Sequence, residues 1–243
     1  MATSMFRSAA ILGLLSAVGP FSIDMYLPAM PDIGRDLAAD VASVQMTITA
    51  YFIAFGIAQL VYGPWADEAG RRKPIFVGLT LFILASVGCV FAGSIGTLIA
   101  FRFLQGLGAA VVMVIPRAII RDLHTGNEAT RLMALVMLVI SVSPMLAPLA
   151  GSGIIALWGW RAIFVVLCGA ALASLLLTRL AQPETLKPED RVAIHMGSLL
   201  RSARVLMSDR NFMGLTFVGG FGMASFFVFL ASASFVYTGQ YGL

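Results

Sequence analysis

Two ionisable residues, Asp24 and Arg102, each sit inside a long apolar run. In the hydrocarbon of a bilayer such a side chain costs about 2.5–3.5 kcal/mol on insertion scales, so it marks a candidate for function. A carboxylate taken out of water favours its protonated form, and a guanidinium nearby favours the charged one. Asp24 is therefore a candidate proton carrier. Arg102 is a group that could tune it, because a guanidinium does not give up its own proton. A static ion pair, or an Asp24 close enough to the surface to be wet, would use the same residues.

A second group is the stretch Gly63-Pro64-Trp65-Ala66-Asp67-Glu68-Ala69-Gly70-Arg71-Arg72-Lys73-Pro74, read as a gap between two helices. Gly63 and Gly70 permit tight approach and positive φ. Asp67 can cap or meet a helix N-terminus, and Arg71 and Arg72 hold the gap at lipid headgroups. A mere basic turn would not need glycines seven apart around an acid. Catalytic chemistry finds little support. Ser152 lies between two glycines, but His124 and His195 fall in polar gaps away from it, and no metal-ligand spacing is evident. The chain is expected to be no enzyme and to hold no metal and no cofactor.

The elements that must position these residues follow from composition. Hydrophobic residues make up 59% of the 243 and charged ones 12%, with a mean hydropathy of +0.93. Soluble domains carry about 25% charged residues. The apolar surface here needs a bilayer. A net charge of +4 does not point to nucleic acid, because the cations form no stripe with interleaved aromatics. Cys89 and Cys168 lie within apolar runs and read as small core residues without a disulfide.

A membrane-spanning helix needs about 20 mostly apolar residues. Stretches 9–30, 41–65, 74–94, 97–121, 130–157, 161–181 and 211–237 qualify, and no strand alternation suggests a barrel. The first lacks a signal-peptide cleavage site and is read as a retained span. Thirteen of the 16 Lys and Arg residues fall on the side holding the amino terminus and the gaps 2–3, 4–5 and 6–7. That side is cytoplasmic by the positive-inside rule, which places Leu243 outside. The first and fourth spans then run in opposite directions. Asp24 and Arg102 come to similar depth in the outer half, where they could meet across the bundle interior.

Three parts are expected: a six-helix bundle over 1–181, a cytoplasmic linker over 182–210, and the first helix of a second bundle over 211–243. Within the linker Leu199, Ala203, Leu206 and Met207 recur at helical spacing, which predicts a short amphipathic helix on the membrane surface.

These stretches resemble the major facilitator superfamily. Gly63-x-x-x-Asp67-x-x-Gly70-Arg71-Arg72 matches its signature between the second and third helices. Arg102-Phe103-Leu104-Gln105-Gly106-Leu107-Gly108 is similar to its fourth-helix pattern. Pro144-Met145-Leu146-Ala147-Pro148-Leu149-Ala150-Gly151 resembles the fifth-helix motif of its antiporters, with Ala147 and Gly151-Ser152 where glycines are usual. More narrowly, Asp24-Met25-Tyr26-Leu27-Pro28-Ala29-Met30-Pro31, Arg117-Ala118-Ile119-Ile120-Arg121-Asp122, Gly159-Trp160-Arg161 and Pro183-Glu184-Thr185-Leu186 are similar to the bicyclomycin and chloramphenicol resistance exporters.

The resemblance implies an all-α membrane protein: the six-helix amino-terminal bundle of the major facilitator fold plus a seventh transmembrane helix. The family's twelve helices imply a missing carboxy-terminal bundle and a chain that is part of a longer one. It implies proton-coupled efflux of drugs or other small amphipathic molecules, by alternating access, across a bacterial inner membrane. The alternative is a truncated, non-transporting membrane protein with a regulatory or assembly role. By resemblance Asp24 carries the proton and Arg102 tunes it. Asp67, Arg71 and Asp122 form a cytoplasmic latch that helps hold the outward-open state, and Pro144, Pro148 and Gly151 shape the fifth helix. Tyr26, Tyr51, Phe55, Gln59 and Met113 are candidates for an adaptable substrate pocket. Expected partners are a small molecule, protons and membrane lipid, with no nucleic acid.

Overall fold

The computed structural model describes residues 2–240, and among them every regular element is helical. The expected position of Leu243 lies outside the described residues. Seven helical segments are long and apolar enough to cross a membrane. The first combines α1 (Ala2–Asp24), a 3-10 turn at Leu27–Ala29 and α2 (Met30–Asp36). Then come α3 (Val41–Ala69), α4 (Arg72–Val90), the pair α5 (Ile95–Ala109) and α6 (Val111–Leu123), α7 (Gly126–Trp158) and α8 (Arg161–Ala181). This is a multi-pass membrane protein.

Local chemistry sets the ends. Asp40 caps α3 by accepting the Ser43 N–H at 3.0 Å. Ser94 and Thr97 form a capping box at the start of α5. Pro28 sits in the first turn of the 3-10 segment, where its missing N–H costs nothing. Pro64, Pro144 and Pro148 lie inside continuous helices, as membrane helices tolerate. The expected gap from 63 to 74 is correspondingly shorter. α3 runs through Pro64 to Ala69, so Gly63 and Asp67 are helical, and only Gly70 and Arg71 connect to α4. The fourth span is broken at Ala110 between α5 and α6.

The helices pack through small residues, the usual means of close approach in a membrane. A Cβ on Gly106 would lie 2.3 Å from the Tyr51 carbonyl oxygen of α3. One on Gly151 would lie 2.5 Å from that of Met25, where the first span changes pitch. Around Gly63, by contrast, nothing lies within 4 Å. Its glycine serves no close packing within the described residues.

At the end of the bundle away from the α3–α4 turn, Arg161 fastens three spans. It pairs with Asp36 at 2.5 Å, donates to the Ala92 carbonyl at 3.2 Å, and stacks 4.2 Å over Trp160. The Trp160 indole N–H also donates to Asp36 at 3.1 Å.

This compact unit runs to Arg191, beyond residue 181, because the first linker residues fold back onto the bundle. A second unit begins at Val192 and holds α9 (Met196–Ser208) and α10 (Arg210–Gln240). The amphipathic helix expected in the linker corresponds to α9. The seventh apolar span lies in α10, whose Leu215, Val218 and Phe221 are exposed.

Candidate functional site

Arg102 of α5 is fully buried. Its guanidinium lies between the rings of Tyr26 and Tyr51, 4.4 Å from each centroid. Such stacking offsets part of the lost hydration of a desolvated cation, by about 2 kcal/mol or more. Nη1 donates to the Gln105 side-chain oxygen and to the Ser22 carbonyl at 3.3 Å. Nε and Nη2 have no acceptor among the described residues. Hydroxyls hold the tyrosines in place: Tyr51 meets Ser22 and Tyr26 meets Thr47, both at 2.6 Å. Gln105 in turn donates to Ser86 at 2.6 Å, so α1, α3, α4 and α5 share one polar network.

Asp24 is also buried, at 4% exposure, but it stands outside that network. Its carboxylate accepts a hydrogen bond from Ser143 of α7 at 3.1 Å. The structure places no ion pair between Asp24 and Arg102, although the sequence puts them at similar depth. The cause is rotation. Ser22 and Asp24 are two residues apart and so about 200° apart around α1. Ser22 faces the arginine, and Asp24 faces α7. Gly151, from the stretch that carries Pro144 and Pro148, brings α7 close to the backbone just beyond Asp24.

Tyr26 and Tyr51 therefore clamp Arg102, with no surface left for a ligand: both are fully buried. Phe55 stacks on Tyr51 at 5.9 Å, and it remains half-buried along with Gln59 and Met113. Ser22, Gln105 and Ser143 were not foreseen as site residues. The signal for Ser143 was its place directly before Pro144, within an apolar run that it shares with Ser141.

The group at the turn between α3 and α4 is drawn together by Arg71, which is 7% exposed. Its Nε and Nη2 reach both oxygens of Asp122, at 2.8 and 3.1 Å, while Nη1 reaches Asp67 at 2.6 Å. Burial works against the guanidinium charge, but the two carboxylates outweigh it and raise the pKa above its ordinary value. Asp67 thus meets a side chain, and caps no helix. Gly70 has φ +91°, and a Cβ there would lie 2.7 Å from the Glu184 carboxylate. Both facts require glycine.

Glu184 is the group that the spacing did not single out beyond its motif. It accepts the backbone N–H groups of Arg71 (2.9 Å), Arg72 (3.1 Å), Thr185 (3.0 Å) and Leu186 (3.1 Å). Burial pushes its carboxyl up, but those donors outweigh burial and hold it below the usual glutamate range. Thr185 donates to Asp122 at 2.9 Å, and Arg72 donates to the Arg179 carbonyl at 3.1 Å. A cleft of about 380 Å³ beside this cluster is lined by Gly63, Asp67, Arg71, Arg117, Arg121 and Asp122, among others. No cluster of metal-ligating residues occurs among the described residues.

The Major Facilitator Superfamily profile matches residues 12–243. The chain belongs to this superfamily. Among major facilitator relatives, it is 40% identical over 97% of its length to the uncharacterized MFS-type transporter YdgK of Bacillus subtilis, covering 59% of that protein. It is 32% identical over 96% of its length to a bicyclomycin resistance protein homolog of Haemophilus influenzae, covering 58% of it. With multidrug resistance protein D of Escherichia coli it shares 36% identity over 89% of its length, covering 55% of that protein. The chain thus spans under two thirds of the length of these relatives. The major facilitator fold is seen again in the human organic anion transporter MFSD10 (TETRAN), with a TM-score of 0.71 at 17% identity, over 98% of this chain and 66% of that one.

Proposed function

We propose that this chain forms the amino-terminal bundle, with one further helix, of a proton-coupled exporter of drugs or other small amphipathic molecules. It acts in a bacterial inner membrane with its amino terminus in the cytoplasm, and a second bundle supplies the rest of the transport path. The relatives named for multidrug and bicyclomycin resistance support the substrate class. The excess of cations on one side supports the orientation.

One observation carries the mechanism. Asp24 is buried inside a span and is held by a neutral hydroxyl, with no ion pair to a cation among the described residues. A carboxyl in that setting can take up or release a proton when its access to water changes, whereas an acid locked to arginine would stay charged. Alternating access supplies the change, by rocking two bundles about a central site. Arg102 keeps a fixed positive charge in the same bundle. The Asp67–Arg71–Asp122 group acts as a latch at the cytoplasmic end. Phe55, Gln59 and Met113 remain the substrate-contact candidates, being the members of that group with surface to offer.

The test is Asp24→Asn in a full-length protein that carries this segment. Gradient-driven export should disappear while substrate still binds. If the variant exports with unchanged pH dependence, Asp24 has no part in coupling.

A further inference from the structure

Ser143 is fully buried in α7, directly before Pro144. Its hydroxyl donates to the Asp24 carboxylate at 3.1 Å. A serine inside a helix can instead turn its hydroxyl back to the carbonyl three or four residues earlier. Ser141, on the same helix, does this: it donates to the Leu138 carbonyl at 2.9 Å. For Ser143 the carbonyl three residues back is that of Ile140. It is also the carbonyl four residues before Pro144, which has no N–H to give it. Inside a bilayer no water makes up for the missing donor. A hydroxyl has one proton to donate. Ser143 can serve Asp24 or Ile140, but not both.

The charge on Asp24 decides between them. A carboxylate is a charge-assisted acceptor, roughly twice as strong as a neutral one. Once protonated, the acid is a neutral acceptor and has an O–H of its own to donate. That O–H can be given to the Ser143 oxygen while the serine proton turns to Ile140. Back-bonding of this kind bends helices. The other groups around Asp24 do not compete for the serine. Arg102 of α5 is held in the clamp between Tyr26 and Tyr51. On α6 the first charge is Arg117, on α7 the last is Arg131, and α8 has charges only at Arg161 and Arg179. The Cys168 thiol of α8 donates to α4, at the Ile83 carbonyl.

We propose that Ser143 is a positioning residue that passes the charge state of Asp24 to the backbone of α7. It holds the carboxylate while Asp24 is charged and turns to the Ile140 carbonyl when Asp24 is neutral, which changes the bend of α7 at Pro144. This rests on the reading of Asp24 as the proton carrier, and adds the step by which its proton moves a helix.

The test is a spin-label distance in the purified 243-residue chain in lipid nanodiscs, measured at about pH 9 so that Asp24 is ionised. Cys89 and Cys168 are replaced by alanine, and the labels sit on Lys73→Cys and Asn127→Cys, both exposed positions. About 24 Å of helix separates Asn127 from Ser143, so a change of bend at Pro144 moves that label by several ångströms relative to α4. Asp24→Asn, neutral at every pH, should shift the distance. In Ser143→Ala the same Asp24→Asn change should cause no shift, and in Ser143→Thr, which keeps a hydroxyl, the shift should return. Ser141→Ala should leave it intact. No shift on Asp24→Asn alone, or an equal shift with and without the Ser143 hydroxyl, would overturn the proposal. Neither outcome depends on export, so a failure of Asp24 as the coupling acid is read separately, in the export assay of Asp24→Asn.

Discussion

Two buried arginines in this bundle are held in opposite ways. Arg71, at the boundary with water, is gripped by two carboxylates. Arg102, deep inside, is gripped by two aromatic rings, an amide and a carbonyl, and by no acid. A cation paired with carboxylates is fixed, and so are its acids. A cation satisfied by neutral groups leaves the nearest acid, Asp24, unclaimed. The Arg71 cluster ties its acids to a cation, and the interior one leaves Asp24 to a hydroxyl.

Breaking the first arrangement should have the largest effect on stability. Arg71→Ala leaves Asp122, whose side chain is 14% exposed, without its cation, and stability in detergent should fall by about 1–3 kcal/mol. A chemical-unfolding midpoint would show it, and a loss below 1 kcal/mol would mean that the cluster is a surface ion pair.

Glu184→Gln should cost less, about 1–2 kcal/mol, because backbone N–H bonds to a charged acceptor become bonds to a neutral one. Its pH dependence sharpens the comparison. The folded-state pKa of Glu184 is lowered, so its contribution is fully present above the ordinary glutamate value of about 4.3 and is lost as pH falls through the folded value. Stability measured between pH 3 and 6 should therefore decline less steeply in the variant. An identical slope would remove Glu184 from that role.

Arg102→Met should have the smallest effect on stability, within about 1 kcal/mol, since an apolar side chain of similar length avoids burying a charge with two unsatisfied donors. Gradient-driven export in a full-length protein should nevertheless fail. A large loss of stability instead would show that the ring clamp holds the bundle together.

Much of this was legible in the sequence because hydrophobicity and length determine a membrane span. Residues 161–181 are helical as expected, and the other spans differ at their ends. The ends failed where a helix runs on into polar residues, as α3 continues past the expected end at 65 through Asp67 and Glu68 to Ala69. Asp67, Arg71 and Asp122 were legible as a group through their motifs. The separation of Asp24 from Arg102 was not, because depth follows from counting residues while facing follows from helix rotation. Glu184 was hidden for a related reason: its partners are backbone N–H groups, which no residue type announces.

Arg161 has a mechanical consequence. With the first, third and sixth spans joined to one another through Asp36, Ala92 and Trp160, that end resists splaying. A force applied there would move those three spans together.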